Sequence, residues 1–352
     1  MSVGYPRSEG DYDRQVERMA GGMGSAGRGL GRLPGRAEGC PRAGGSTLMG
    51  APLSRLQGGV YVDLGKGDHR NSVFLAGSGR SGTTWLSEII NHRRVYRYVF
   101  EPFNPREVGP FGHFRTKQYL RPDDQRETFL KPASLALTGG LRDPWTDRFN
   151  GRIVARRRLI KDIRANLLLG WMRAHFPGMP IILLLRHPCA VVASRLALGW
   201  RDNLSETMEQ RELVEDFLLP MEAEIRAAND DFERHLFLWC IDNYVPLKQF
   251  GPQDVHLTFY ENLLVRPEAE LQGLFTFLGE DFDDRVYRRL RRPSPLSRKN
   301  TPCPSTEGWR IRVSAHQLER AMEILRLFGL DHLYGEGTMP DPSCAYALMD
   351  GV

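Results

Sequence analysis

Residues 71–88 read NSVFLAGSGRSGTTWLSE. Val73 to Ala76 is a short apolar run of the kind that forms a buried β-strand. Gly77, Gly79 and Gly82 follow at once, with Arg80, Ser81, Thr83 and Thr84 between and after them. Trp85, Leu86, Ile89 and Ile90 then recur at helical spacing. A strand, a glycine-rich turn and a helix in that order aim backbone N–H groups and the positive helix end at an anion. The glycines let the backbone approach it without Cβ clashes.

The spacing comes close to the nucleotide-binding pattern G-x-x-x-x-G-K-[ST]. Gly77, Gly82 and Thr84 fit, but Thr83 stands in the place of the lysine that reaches the β- and γ-phosphates. A basic residue, Arg80, sits inside the loop instead. The loop therefore suits a phosphate, but not ATP with magnesium. Arg80-Ser81-Gly82-Thr83-Thr84 resembles the [KR]-[ST]-G-[ST]-[ST] motif of the sulfotransferase family, which holds the 5′-phosphosulfate of 3′-phosphoadenosine-5′-phosphosulfate (PAPS). The resemblance implies nucleotide contacts from Gly79, Arg80, Ser81, Gly82, Thr83 and Thr84. Arg80 would neutralise charge on the 5′-phosphate as its bond to sulfur breaks, because a guanidinium is no proton donor at ordinary pH.

Outward from this loop the chain alternates strand-like and helix-like segments, which predicts a three-layer α/β fold of the phosphate-loop type with a central parallel sheet. Val95 to Phe100 reads as a second strand, ended by Glu101-Pro102. Leu159 and Ile160 form a third, with Lys161 and Asp162 at its end. Ile181 to Leu185 is a fourth and Val255 to Tyr260 a fifth. Helices are expected over about 208–249, Pro267 to Leu278 and Ala315 to Phe328. In open parallel sheets ligands bind beyond the carboxyl ends of the strands, where the glycine loop, Glu101, Lys161 and Arg186 all fall.

The stretch from Leu185 to Arg195 reads LRHPCAVVASR. Arginine offers a planar fork of donors for phosphate, and a serine one to two turns into the next helix can join it. The segment resembles the family's R-[DH]-P-x-x-x-x-x-S, so Arg186 and Ser194 would hold the 3′-phosphate, with Arg195 as a neighbour. Phe100-Glu101-Pro102 resembles the context of a glutamate in carbohydrate sulfotransferases and makes Glu101 the base that takes the acceptor proton. His113 and His175 lie near plausible site segments but are less well placed. Thr258 to Leu263, TFYENL, resembles a structural Y-E-D-L segment with Asn262 for the aspartate. The family closes a basic late loop over the nucleotide, which offers Ser297, Arg298 and Lys299. No metal cluster is visible, and sulfuryl transfer from PAPS needs none.

Composition sets the outer limits. The chain has 352 residues, 41% hydrophobic and 26% charged, with a formal charge of +5. Eight arginines and five acidic residues lie in the first 60, so +3 of the excess is there and the rest is too weakly basic to argue for nucleic acid. That stretch also holds 15 of the 36 glycines. Residues 1–65 read as a disordered extension, a mistaken upstream start, or a basic tail for an acidic partner. The resemblance implies a sulfotransferase domain over residues 66–337, with 338–352 expected as a loosely held tail. Five scattered cysteines without a C-x-x-C pair point to a reducing compartment. No apolar run approaches the roughly 18 residues of a membrane span. With no N-terminal anchor in view, a cytoplasmic, bacterial enzyme is expected.

The acceptor is expected to be a hydroxyl, on a sugar by the Arg-type loop and Phe-Glu-Pro. A lipid, a tyrosine or a secondary metabolite are alternatives. Residues 106–150 and 199–228 are the segments left over for it. Two readings of other classes stand beside this one: a phosphoryl transferase on a phosphate-loop fold, and a non-catalytic nucleotide-binding scaffold.

Overall fold

A computed structural model describes residues 61–292 and 305–351. Its centre is a five-stranded sheet of β2 (Ser72–Gly77), β3 (Arg97–Phe100), β5 (Arg158–Asp162), β6 (Ile181–Leu185) and β7 (His256–Phe259). The strand order is β3-β5-β2-β6-β7 and every pairing is parallel. β1 (Val62–Asp63) and β4 (Val154–Ala155) make a separate parallel pair. Parallel strands are covered on both faces and so need apolar residues in unbroken runs. Val73 to Ala76 and Ile181 to Leu185 meet that need and are fully buried.

The helices around the sheet follow the sequence pattern. α1 (Thr83–Ile90) buries Trp85, Leu86, Ile89 and Ile90. α2 (Glu127–Leu137) lies in the stretch 106–150, α3 is Leu169–His175, and α4 (Pro188–Ala197) starts with a proline at its first turn. α5 (Asp231–Gln249) packs against α4, and Asp230 caps it by accepting from the Glu233 amide. α6 is Pro267–Leu278 and α7 is Ala315–Leu327, opened by a reciprocal Ser314–Gln317 capping box.

β2 connects to β3 on one side of the sheet, whereas β6 connects to β7 on the other. The two departing chains diverge and leave a crevice between the carboxyl ends of β2 and β6, the usual ligand site of such sheets. The glycine loop and Arg186 both border it.

Three expectations change. The single helix over 208–249 breaks into short pieces, with Pro220 at the break Leu219–Met221, before α5 begins. The loosely held tail contains α8 (Pro342–Asp350), capped by Asp341 and burying Ala345 and Met349 against the core. The folded unit begins before residue 66: Tyr61 is buried, and Asp63 pairs with Arg158 at 2.8 Å. The rest of the proposed extension, residues 1–60, lies outside the described residues.

Candidate active site

The loop after β2 turns through two left-handed residues, Arg80 (φ 80°) and Gly82 (φ 104°). A Cβ on Gly82 would come within 2.8 Å of the Tyr260 ring, so both conformation and space favour glycine there. No side chain caps α1. Its first amides have no partner inside the helix. Ser81 Oγ is buried with no hydrogen-bond partner. A buried hydroxyl without a partner carries a desolvation cost that an arriving anion removes.

The second motif meets the first. The Arg186 guanidinium donates from Nη1 to the Arg80 carbonyl at 3.0 Å and lies over the Tyr260 ring at 4.1 Å, while its buried Nε has no partner. Arg80 Nε donates to Ser194 Oγ at 3.1 Å. Gly79, Arg80, Ser81, Gly82, Thr83, Thr84, Arg186 and Ser194 thus share one crevice. Arg195 is drawn in as well, donating from Nε to the Gly79 carbonyl at 3.1 Å. Ser297, Arg298 and Lys299 lie outside the described residues.

Beside the loop, Glu101 stands at the end of β3 with φ 44° and is fully buried. Lys161 Nζ donates to one of its oxygens, and Arg164 Nη1 to the other at 2.6 Å. Burial pushes this carboxyl's pKa up, but the two cations outweigh it and hold it below its usual range. Asp162 accepts from the amides of Phe103 and Arg164, and burial with the nearby Glu101 charge raises its pKa to about 6. Arg164 lines an open cleft next to Gly79, and Glu101 stands one contact behind that wall. His113 and His175 do not line the cleft; His113 bonds the Thr128 carbonyl.

Sequence reasoning missed Asp242. It lies in α5, buried, where it accepts from Ser78 Oγ at 2.6 Å and from Lys117 Nζ at 2.6 Å, with Arg195 at 3.6 Å. One carboxylate thereby ties the phosphate loop to the 106–150 stretch and to α4. The available signal was an acidic residue between Ile241 and Asn243 in a helix that is otherwise largely apolar and buried. Lys117 has φ 59°, so three of the four described non-glycine residues in the left-handed region border this site or stand just behind its wall. Such conformations persist only where the surroundings enforce them, and they cluster at functional sites.

A protein-family model described as the sulfotransferase family matches residues 72–284, more than half of the chain and all of the sheet. The chain belongs to the sulfotransferase family. The orphaned Ser81 hydroxyl and Arg186 Nε of this sulfotransferase suit a phosphorylated nucleotide donor such as PAPS. Among solved structures this sulfotransferase is similar to the sulfotransferase from Alicyclobacillus acidocaldarius, with 15% identity over 80% of this chain and 95% of that one and a TM-score of 0.41. It is also similar to the sulfotransferase domain from the curacin biosynthetic pathway, with 15% identity, 79% and 89% coverage and a TM-score of 0.36. A third is mouse sulfotransferase SULT7A1 complexed with PAP, with 15% identity, 73% and 85% coverage and a TM-score of 0.37. No curated protein matches the sequence. Among the described residues no helix is long and apolar enough to cross a membrane.

Proposed function

We propose that this sulfotransferase transfers the sulfuryl group of PAPS to a hydroxyl of a carbohydrate, in the cytoplasm. The observation that carries the site assignment is the meeting of Arg80, Ser194 and Arg186 across the crevice. The loop amides, Ser81, Thr83 and Thr84 take the 5′ side of the nucleotide, and Arg186 with Ser194 takes the 3′-phosphate. When bound, PAPS supplies an activated sulfur whose bond to the 5′-phosphate oxygen breaks as the bond to the acceptor oxygen forms. Arg80 faces the charge left on that phosphate oxygen and stabilises it without moving a proton.

Glu101 takes the hydroxyl proton. Each of its oxygens accepts one hydrogen bond from a cation and retains a further lone pair. Because it lies behind Arg164, the acceptor reaches it when that side chain shifts. The sugar preference is supported by the Phe100-Glu101-Pro102 context and by Trp200 in the cleft wall, a flat apolar face of the kind that sugar rings pack against. Membership of the family sets aside the phosphoryl-transfer and scaffold alternatives. The free thiols of Cys189, Cys240 and Cys344 suit a reducing compartment.

The test is a transfer screen with ³⁵S-labelled PAPS across oligosaccharides, lipids, phenols and tyrosine peptides. Label on a sugar is the expected result. Label confined to lipid, phenol or peptide overturns the carbohydrate assignment, and no transfer to any class argues against the proposed chemistry.

A further inference from the structure

The turn that carries Arg186 is held from behind by the end of the chain. Arg186 and His187 link β6 to α4, whose first turn no side chain caps. Buried groups from three other segments fix this link. Trp239 Nε1 donates to the Arg186 carbonyl at 3.1 Å, and the His187 amide donates to Glu261 Oε1 at 2.9 Å. The other Glu261 oxygen accepts from the Tyr334 hydroxyl at 2.9 Å. Burial lowers the His187 pKa to about 4, so its ring is neutral at ordinary pH. A carbonyl can only accept, so Nε2 carries the ring proton and donates to Gly335 at 3.3 Å. The same ring stacks on Trp309 with 4.3 Å between centres and meets Tyr334 edge-on at 5.3 Å.

Glu261 follows directly on Tyr260, the ring beneath the Arg186 guanidinium. Two adjacent residues after β7 therefore hold Arg186 at both ends, one under its head group and one through the next amide. Trp309, Tyr334 and Gly335 lie beyond residues 72–284, the span that the family model matches. Glu261 and Tyr334 are both buried, so the hydroxyl has no water to replace it. Without it, one oxygen of a buried carboxyl loses its donor. Burial already raises the pKa of Glu261, so that loss favours the neutral form, a weaker acceptor for the His187 amide. A guanidinium presents its donors in a fixed plane, and a turn free to tilt misaims them.

We infer that Tyr334 is a positioning residue for the donor: through Glu261 it holds the Arg186 turn at the angle from which the guanidinium meets the 3′-phosphate. The end of the chain thereby sets how well a nucleotide with that phosphate is told from one without it. This rests on the proposed assignment of Arg186 to the 3′-phosphate.

The test compares 3′-phosphoadenosine-5′-phosphate (PAP) with adenosine 5′-phosphate (AMP), which lacks only the 3′-phosphate, by calorimetry on the full-length protein. Wild type is expected to bind PAP roughly a hundredfold more tightly than AMP. Tyr334→Phe keeps the ring that packs on His187 and Trp239 and removes only the hydroxyl. It should cut the preference about tenfold, by weakening PAP and leaving AMP within about twofold. Glu261→Asp, too short to span both partners, should cut it as much, and the double variant little more than either alone, because the two act in one path. If Tyr334→Phe does not fold, Glu261→Asp decides by the same ratio. An unchanged preference overturns the inference, whatever happens to the melting temperature. Equal weakening of PAP and AMP also overturns it, since the hydroxyl would then serve only the fold. Additive losses in the double variant overturn the route through Glu261. A wild-type protein that does not prefer PAP over AMP removes the assignment of Arg186 beneath the inference, and the inference with it.

Discussion

Strands β3 and β5 carry a buried ion network at each end, and the two networks differ in what they leave open. At the amino ends Arg97 and Arg158 are direct neighbours in register and both are fully buried. Like charges side by side repel, and the repulsion is met locally. Arg158 donates to Asp63 and to Ser72, each at 2.8 Å, and Arg97 donates to Asp147 at 2.9 Å while lying 3.9 Å from the Tyr61 ring centre. The partners come from segments 61–72 and 143–147, so the network fastens the start of the fold to the sheet. At the carboxyl ends Glu101, Lys161, Arg164 and Asp162 are equally buried and equally paired. There, however, Arg164 faces a cleft, Glu101 is held in a left-handed conformation, and neighbouring loops carry orphaned donors. Burial and pairing alone do not mark a functional charge. What separates the two is position at the strand carboxyl ends beside a cleft, since the amino-end network also keeps a buried oxygen without a hydrogen bond, Asp63 Oδ2.

The sharpest way to break this comparison is to change one carboxylate. Glu101→Gln is expected to lower turnover roughly 10²- to 10⁴-fold, the usual worth of a general base, while PAP affinity stays within a few-fold. Turnover per folded molecule equal to wild type would move Glu101 to the structural side. At the opposite end, Arg158→Ala should cost roughly 3–5 kcal/mol of stability by leaving buried partners uncompensated, read as a lowered denaturant midpoint. The surviving folded protein should turn over normally. Between these two lies Asp242→Asn, which loosens the tie between Ser78, Lys117 and Arg195. It should weaken PAP binding about tenfold, in keeping with the loss of charged hydrogen bonds, with the rise confirmed by calorimetry.

The smallest effect is in the pH profile. The cations around Glu101 keep it ionised below the usual carboxylate range, so the kcat of a Glu101 base should hold as pH falls from 8 to about 5. A fall in kcat with an apparent pKa near 6 would point to Asp162 as the base.

Much of the donor side was legible in the sequence because local rules govern it. Gly77 to Thr84 and Arg186 to Ser194 each lie within one turn-and-helix unit, where spacing along the chain is also spacing in space. The strands were legible for the same reason, Val73 to Ala76 and Ile181 to Leu185 most plainly. The neighbouring cleft was not. Lys117, Arg164, Arg201 and Asp242 are far apart in sequence and meet only through the order in which the strands are laid down. Asp242 hid inside a largely apolar helix, and the helix breaks around Pro220 were masked by the strong helical period of the residues that follow. The pairing of Glu101 with Arg164, which sets it back from the cleft, is a tertiary fact with no local signature.

The central claim is that the glycine loop and Arg186 hold the two ends of one nucleotide in a shared crevice. Titration of PAP into wild type and Arg186→Ala tests it most directly. The Arg186 variant should bind PAP roughly 10- to 100-fold more weakly, as expected for lost charge-assisted hydrogen bonds, with the melting temperature of the nucleotide-free protein little changed. Unchanged affinity in a folded Arg186→Ala protein would contradict the account.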